Sequence, residues 1–259
     1  MPLRHVEALS HGDPMPPDLR VGLHFHPHVL GGLLRDGVYR SQFETGTSNG
    51  GLTAFPGGDR WRWESRLFGG AYDDAPPAAR PKYGALNHLR KPAGPAPRFG
   101  SAHLRLTADT LPRTTFCYPD SVFEPVDFGV AHRMSLIDKA LADDVDVLDD
   151  YIEAHVHGEV RIDRDVEALV LDPCFRGSEV EALAAELPCP VEWHRGFRLH
   201  VDDLRPDYRG PEVVELGRRL ARDGYLDGRV VDEARGEHHP QQLKRLWHVV
   251  ARFGQSAAS

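Results

Sequence analysis

Tyr151-Ile-Glu-Ala-His-Val-His-Gly-Glu-Val-Arg-Ile162 alternates polar and apolar side chains, the period-two signature of a strand with one buried face. Such a strand sends Glu153, His155, His157 and Glu159 to one side and Ile152, Ala154, Val156, Val160 and Ile162 to the other. Neighbours in the polar row then lie about 6.5–7 Å apart, close enough for several of them to touch one ligand. The strand needs partners, and Val21–His26, Val38–Gln42, Lys82–Leu89, Phe99–Leu106, Thr114–Tyr118, Val166–Leu171 and Val191–Leu199 carry strand-like patterns between turn-rich stretches. Helical stripes are expected over Asp59–Phe68 with Asp59 as N-cap, Ser135–Asp149 with Ser135 and Asp138 as a capping box, Ser178–Leu187, Glu212–Arg222 and Gln241–Phe253. The order of these elements predicts an α+β fold: a mostly antiparallel mixed sheet with flanking helices and a helical C-terminal lobe. Residues 1–20 read as a flexible N-terminal arm, 21–200 as the α+β catalytic body and 201–259 as the helical lobe, while one continuous domain over 21–259 is equally allowed by length.

The 259 residues carry 31 Lys+Arg against 39 Asp+Glu, a net charge of −8. A surface of that sign disfavours non-specific nucleic-acid binding. Hydrophobic residues at 41% and charged residues at 27% are those of an ordinary globular chain. The 25 glycines and 21 prolines exceed average usage and imply many turns and long loops. Cys117, Cys174 and Cys189 show no C-x-x-C spacing, so neither a disulfide framework nor a thiolate zinc site is expected. With no basic-then-apolar leader and no apolar run of membrane-spanning length, the expectation is a cytoplasmic protein with no membrane contact, although signal-independent export would leave no trace.

Two further stretches invite chemistry. Tyr39-Arg40-Ser41-Gln42 runs into the loop Glu44-Thr-Gly-Thr-Ser-Asn-Gly-Gly51, and an arginine beside loop N–H groups can grip phosphate through its bidentate fork. The alternative is a surface ion pair for Arg40 and a plain hairpin loop. His24 and His26 share a strand face, as do His155 and His157. Two such H-x-H pairs could close a metal site with Glu153 or Asp172 as oxygen ligand, although chance pairs are expected among 15 histidines.

The blocks GVYRSQFETGTSNGGL (37–52), RPKYGALN (80–87), RFGSAHLRL (98–106), YIEAHVHG (151–158) and LKRLWH (243–248) resemble a bacterial family classed as a domain of unknown function. More remotely, the order Arg40, Ser101, Glu153 or Glu159 resembles ADP-ribosyltransferases of the Arg-Ser-Glu type, in which an early arginine, a middle serine and a late glutamate converge on NAD. The chain departs from that pattern in having no Ser-Thr-Ser triplet at 101 and in carrying Glu153-Ala-His155 in place of E-x-E or Q-x-E.

The resemblance implies an NAD-consuming transferase or NAD glycohydrolase. Glu153 would stabilise positive charge on the ribose as nicotinamide leaves, Ser101 would hold ribose or carboxylate, and His155 would act as base. Arg40, Ser41, Gln42, Thr47, Ser48, Asn49 and Tyr83 would contact the NAD cofactor, and the acceptor would be a protein or nucleic acid. Two other readings compete: a metal-dependent hydrolase built on the H-x-H pairs, and a non-catalytic interaction module such as a toxin or defence component.

Overall fold

The computed structural model describes residues 2–46 and 53–254. Among these described residues twelve strands run β1 (Val21–Phe25), β2 (Val38–Tyr39), β3 (Lys82–Leu86), β4 (Ala102–Leu106), β5 (Thr114–Tyr118), β6 (Asp127–Val130), β7 (Ile152–Val156), β8 (Val160–Arg161), β9 (Val166–Leu171), β10 (Val191–Trp193), β11 (Arg198–His200) and β12 (Tyr225–Asp227). Ten α-helices interleave with them: α1 (Pro2–Leu9), α2 (Leu30–Asp36), α3 (Gln42–Thr45), α4 (Asp59–Leu67), α5 (Leu136–Ala142), α6 (Ile162–Asp165), α7 (Glu179–Ala185), α8 (Pro211–Leu220), α9 (Gly228–Glu233) and α10 (Pro240–Phe253). Eight strands form one sheet in the order β10-β9-β4-β1-β3-β7-β5-β6. Only the β9–β10 pair is parallel, so the fold is α+β on a mostly antiparallel mixed sheet, as the turn-rich sequence predicts. None of the described helices is long and apolar enough to cross a membrane.

Directly opposed residues on antiparallel strands share a face, so the register sorts the sheet into two unlike sides. Glu153 stands opposite Ala85 and Cys117, and His155 opposite Tyr83 and Thr115. The same row continues through Gly22 to Arg105. The other side presents Leu23, Leu86, Leu104, Phe116, Ile152, Ala154, Val156, Leu169 and Leu171 to the main core. A second core gathers Leu148 with residues 197–251, including Leu226, Leu246 and Trp247, around α8, α9 and α10. The polar side is not left to water, because α4 and the C-terminal helices cover it.

α4 is the part of that cover which decides the chemistry. Arg60, Glu64 and Leu67 are buried at i, i+4 and i+7, one face of the helix, and this face turns charge inward. Glu64 accepts from Arg80 at 2.6 Å and from the Tyr83 hydroxyl at 3.1 Å. The Arg60 guanidinium lies 4.2 Å above the Tyr83 ring and donates to Ser121 Oγ at 3.0 Å. Charges removed from water at such cost persist only when paired and hydrogen-bonded, and here each is.

Several sequence expectations need correction. The 151–162 strand is not continuous: Gly158 adopts φ +78°, β7 stops at Val156, and Val160–Arg161 pairs instead with β2. Glu159 is therefore an exposed turn residue outside the polar row. The helix expected over 135–149 ends at Ala142, with Asp143 already extended and no capping-box bond at Ser135. Closely spaced aspartates at 143, 144, 146, 149 and 150 repel one another and favour turns over helix interior. The single strand expected over 191–199 is two strands in different sheets, separated by Gly196 at φ +86°. The segment expected as a flexible arm carries α1 and buries Val6, Ser10, Met15 and Leu19.

The buried pair between α4 and residue 80 gives a direct test. Arg80 and Glu64 side chains are 3% and 1% exposed, so Arg80→Met should lower stability by about 3–5 kcal/mol by stranding the carboxylate. Arg80→Met with Glu64→Leu should recover part of that loss in urea unfolding. A single variant as stable as the parent would contradict the pairing.

Candidate functional site

The expected polar row of β7 forms, and its first three members meet the face of α4. Glu153 Oε1 lies 2.9 Å from His155 Nε2, and Glu153 Oε2 accepts from Ser121 Oγ at 3.2 Å. Thr115 Oγ1 bridges the two histidines, 3.3 Å from His155 Nδ1 and 2.9 Å from His157 Nε2, while the Tyr72 hydroxyl sits 2.6 Å from His157 Nδ1. Phe68 closes the layer edge-on to both rings, with centroids 5.2 and 5.3 Å away. Cys117 Sγ lies 3.8 Å from both Glu153 Oε1 and His155 Nε2. Glu153, His155 and Cys117 offer ligand atoms within 4.8 Å of one another, and all three are buried.

The environment drives neighbouring carboxyls in opposite directions. Burial raises the Glu153 carboxyl, but the hydrogen bond and charge of His155, then Arg60 and Ser121, outweigh it and hold the group below its ordinary value. Asp120 is pushed up, first by burial and then by the Glu153 charge, against the opposing bonds from Tyr151 and the Val122 N–H. Burial and the Glu153 charge likewise push the Cys117 thiol well up, so Cys117 is no resting nucleophile.

Asp120 opens onto a cleft of about 380 Å³ lined by Arg98, Tyr118, Asp120, Phe123, Asp146 and Tyr151 among others. A space of that size, with aromatic walls and a few convergent charges, has the character of a small-molecule site. Asp120 accepts from the Tyr151 hydroxyl, and Arg98 is paired with Asp149. Burial and the Asp143 hydrogen bond and charge push the Tyr118 phenol up to about 12, so it stays a neutral donor.

The other sequence candidates fall in different places. Arg40 pairs with Asp36 at 2.9 Å, half-exposed, and is not among the residues lining the cleft. Ser41 forms a capping box with Glu44 at α3 and donates to the Pro77 carbonyl at 2.6 Å. Gln42 sits in the first turn of α3, Tyr83 is bound to Glu64, and Thr47, Ser48 and Asn49 lie outside the described residues. Ser101 is buried just before β4, three strands from β7 in the sheet order, which corresponds to about 14 Å at ordinary strand spacing. Among the described candidates, His155 is the one hydrogen-bonded to Glu153.

The two H-x-H pairs also separate. His24 stacks on His103 with centroids 4.8 Å apart, accepts from the Ala96 N–H at 3.2 Å, and lies 3.1 Å from the Gly100 carbonyl. Gly94 permits this packing: it holds φ +84°, and a Cβ there would come 2.4 Å from His24 Nε2. His26 turns to Trp247 of α10, while Asp172 accepts from the Cys174 and Phe197 N–H groups. Sequence reasoning missed Asp120 and Arg98, which are strand-end and loop residues without periodic signal, and the inward charges of α4, whose spacing of four was visible.

The fold and site together define an α+β protein with a buried ionic layer feeding an acidic, aromatic cleft. The chain belongs to the family described as "Protein of unknown function (DUF3626)", which matches residues 20–147 and 130–253. No curated protein matches the chain.

Burial also fixes how the protein responds to acid. Desolvation lowers His24, His26 and His157 to about 3. Each is neutral when folded and takes up a proton near 6.5 when unfolded, so its stabilising contribution is complete above about 6.5 and is lost as pH falls toward 3. Each should cost up to about 2 kcal/mol at pH 5. Urea midpoints should therefore drop between pH 7.5 and pH 5, less steeply in His157→Asn; a flat profile would contradict the buried neutral histidines.

Proposed function

We propose that the protein is an NAD-consuming, ADP-ribosyltransferase-like enzyme, a transferase or an NAD glycohydrolase, whose working carboxylates are Asp120 and Glu153. What supports this reading is a pair of carboxyls that their surroundings drive in opposite directions, Glu153 down and Asp120 up, with Asp120 in the wall of an aromatic cleft. Neighbouring carboxyls driven apart in this way divide into a fixed anion and a proton carrier. Glycosidic bond cleavage needs both.

In the proposed step, the bond between ribose C1′ and the nicotinamide nitrogen breaks, and its electron pair leaves with nicotinamide. The Glu153 charge, held behind Asp120 by His155 and Ser121, stabilises the oxocarbenium character at C1′. Water or an acceptor hydroxyl, amide or carboxylate then attacks C1′, and Asp120, when ionised, receives any proton released. Tyr118 and Tyr151 offer rings for the nicotinamide and hydroxyls for the ribose. Ser101 and Arg40, at their observed positions, serve this chemistry only if the ligand extends beyond the cleft.

Purified protein incubated with nicotinamide-labelled NAD, alone and with cell lysate, should release nicotinamide. Glu153→Gln and Asp120→Asn should each lower turnover about 10²–10³-fold. No release under either condition, or unchanged turnover in both variants, would remove the proposal.

A second reading, a metal-dependent hydrolase, is favoured by one observation: Cys117, Glu153 and His155 could together hold a thiophilic ion. The ion would sit there and not between the H-x-H pairs. Elemental analysis of untagged protein would show stoichiometric zinc, lost in Cys117→Ser. Metal-free protein that cleaves NAD would leave only the first reading.

A further inference from the structure

Glu153 is joined to Tyr72 by an unbroken file of side chains. From Glu153 Oε1 the contacts run to His155 Nε2 at 2.9 Å, from His155 Nδ1 to Thr115 Oγ1 at 3.3 Å, from Thr115 Oγ1 to His157 Nε2 at 2.9 Å, and from His157 Nδ1 to the Tyr72 hydroxyl at 2.6 Å. All of these residues are buried. Strand β5 sets Thr115 directly opposite His155, His157 follows the last residue of β7, and Tyr72 comes from the turns after α4. Packing holds the rings in place: Phe68 stands edge-on to both imidazoles, Tyr83 stands edge-on to His155, and Tyr72 stacks on His157.

The ends of the file decide which way each proton points. The Glu153 carboxylate, held below its ordinary value, can only accept, so His155 Nε2 carries the proton. His155 Nδ1 is then an acceptor, and Thr115 directs its single hydroxyl proton there. With that proton committed, Thr115 accepts from His157, whose Nε2 is protonated and whose Nδ1 accepts the Tyr72 O–H. Burial lowers His157 to about 3 and leaves its ring with one proton, as this order requires. The reverse order, with Nδ1–H on both rings, would make the Tyr72 hydroxyl an acceptor. His157 is its one hydrogen-bond partner among the described residues, so the phenolic proton of a buried tyrosine would have nowhere to go. In a neutral His155 the reverse order would also set a bare Nε2 lone pair against the Glu153 anion.

We infer that Thr115, His157 and Tyr72 are positioning residues that hold His155 in its Nε2–H tautomer, so that the imidazole always presents a donor to Glu153. None of the three lines the cleft; each acts through the next. The tautomer stands on these contacts alone. Its consequence for turnover rests on the reading in which Glu153 is a working carboxylate, because a His155 free to present a lone pair would repel the anion that steadies the ribose cation.

Long-range nitrogen–proton NMR correlation spectra of the full chain at neutral pH, with ring signals assigned through the backbone, report which imidazole nitrogen carries the proton. His155 and His157 should both show a protonated Nε2 and a bare Nδ1. Thr115→Val should abolish the single form at His155 and lower nicotinamide release about 10–100-fold, while Thr115→Ser, which restores the hydroxyl, should recover both. A proton on His155 Nδ1 in the parent overturns the inference; an ion held by Cys117, Glu153 and His155 Nε2 would impose that form. A Thr115→Val protein that keeps either the parent's tautomer or an active parent's turnover overturns it as well. A parent that releases no nicotinamide sinks the NAD reading by itself, and the spectra of parent and variant still decide the tautomer.

Discussion

The structure turns on one buried carboxylate. Glu153 sits in the middle of an eight-stranded sheet, on a face that a typical sheet would either pack with aliphatic groups or leave to solvent. Its charge survives there because His155, Ser121 and Arg60 surround it. That requirement propagates outward. Arg60 must come from a helix, so α4 lies over the sheet; Glu64, one turn on, must then be answered by Arg80 and Tyr83. A half-satisfied network of this kind is worse than an apolar layer, so its members stand or fall together.

The same carboxylate organises the cleft. Burial, and then its field, raise Asp120, the residue that actually meets the open space. Acid and base roles are thus divided by position relative to the buried layer, not by side-chain type. The C-terminal core is tied to the turn before β4, where the Trp247 indole N–H bonds the Pro97 carbonyl at 2.7 Å, next to Arg98 of the cleft wall.

Much of this was legible in the sequence and some was not. Alternation in residues 151–156 correctly gave β7 and its polar face, and β5, β9 and the long C-terminal helix were bounded to within a residue, because strong periodicity leaves little choice of face. The reach of that alternation past His157 was misleading. Gly158 breaks the strand by taking a left-handed φ, a choice that one glycine in a polar strand does not announce. The helix over 135–149 failed for the opposite reason, a hydrophobic stripe overruled by clustered aspartates. Site residues were legible where they lay on a strand, as Glu153 and His155 did. Asp120 and Arg98 sit in turns, and their meeting at one cleft joins segments more than 20 residues apart, which no local spacing encodes.

The division of labour between the two carboxyls can be read directly. Carbon-detected NMR titration of the side-chain carboxyls in the intact protein, assigned with Asp120→Asn and Glu153→Gln, follows each group through acid. The carboxyl lost in Glu153→Gln should titrate below its ordinary value and the one lost in Asp120→Asn above its own. Two ordinary titrations, or the reverse order, would show that the buried layer does not govern the cleft.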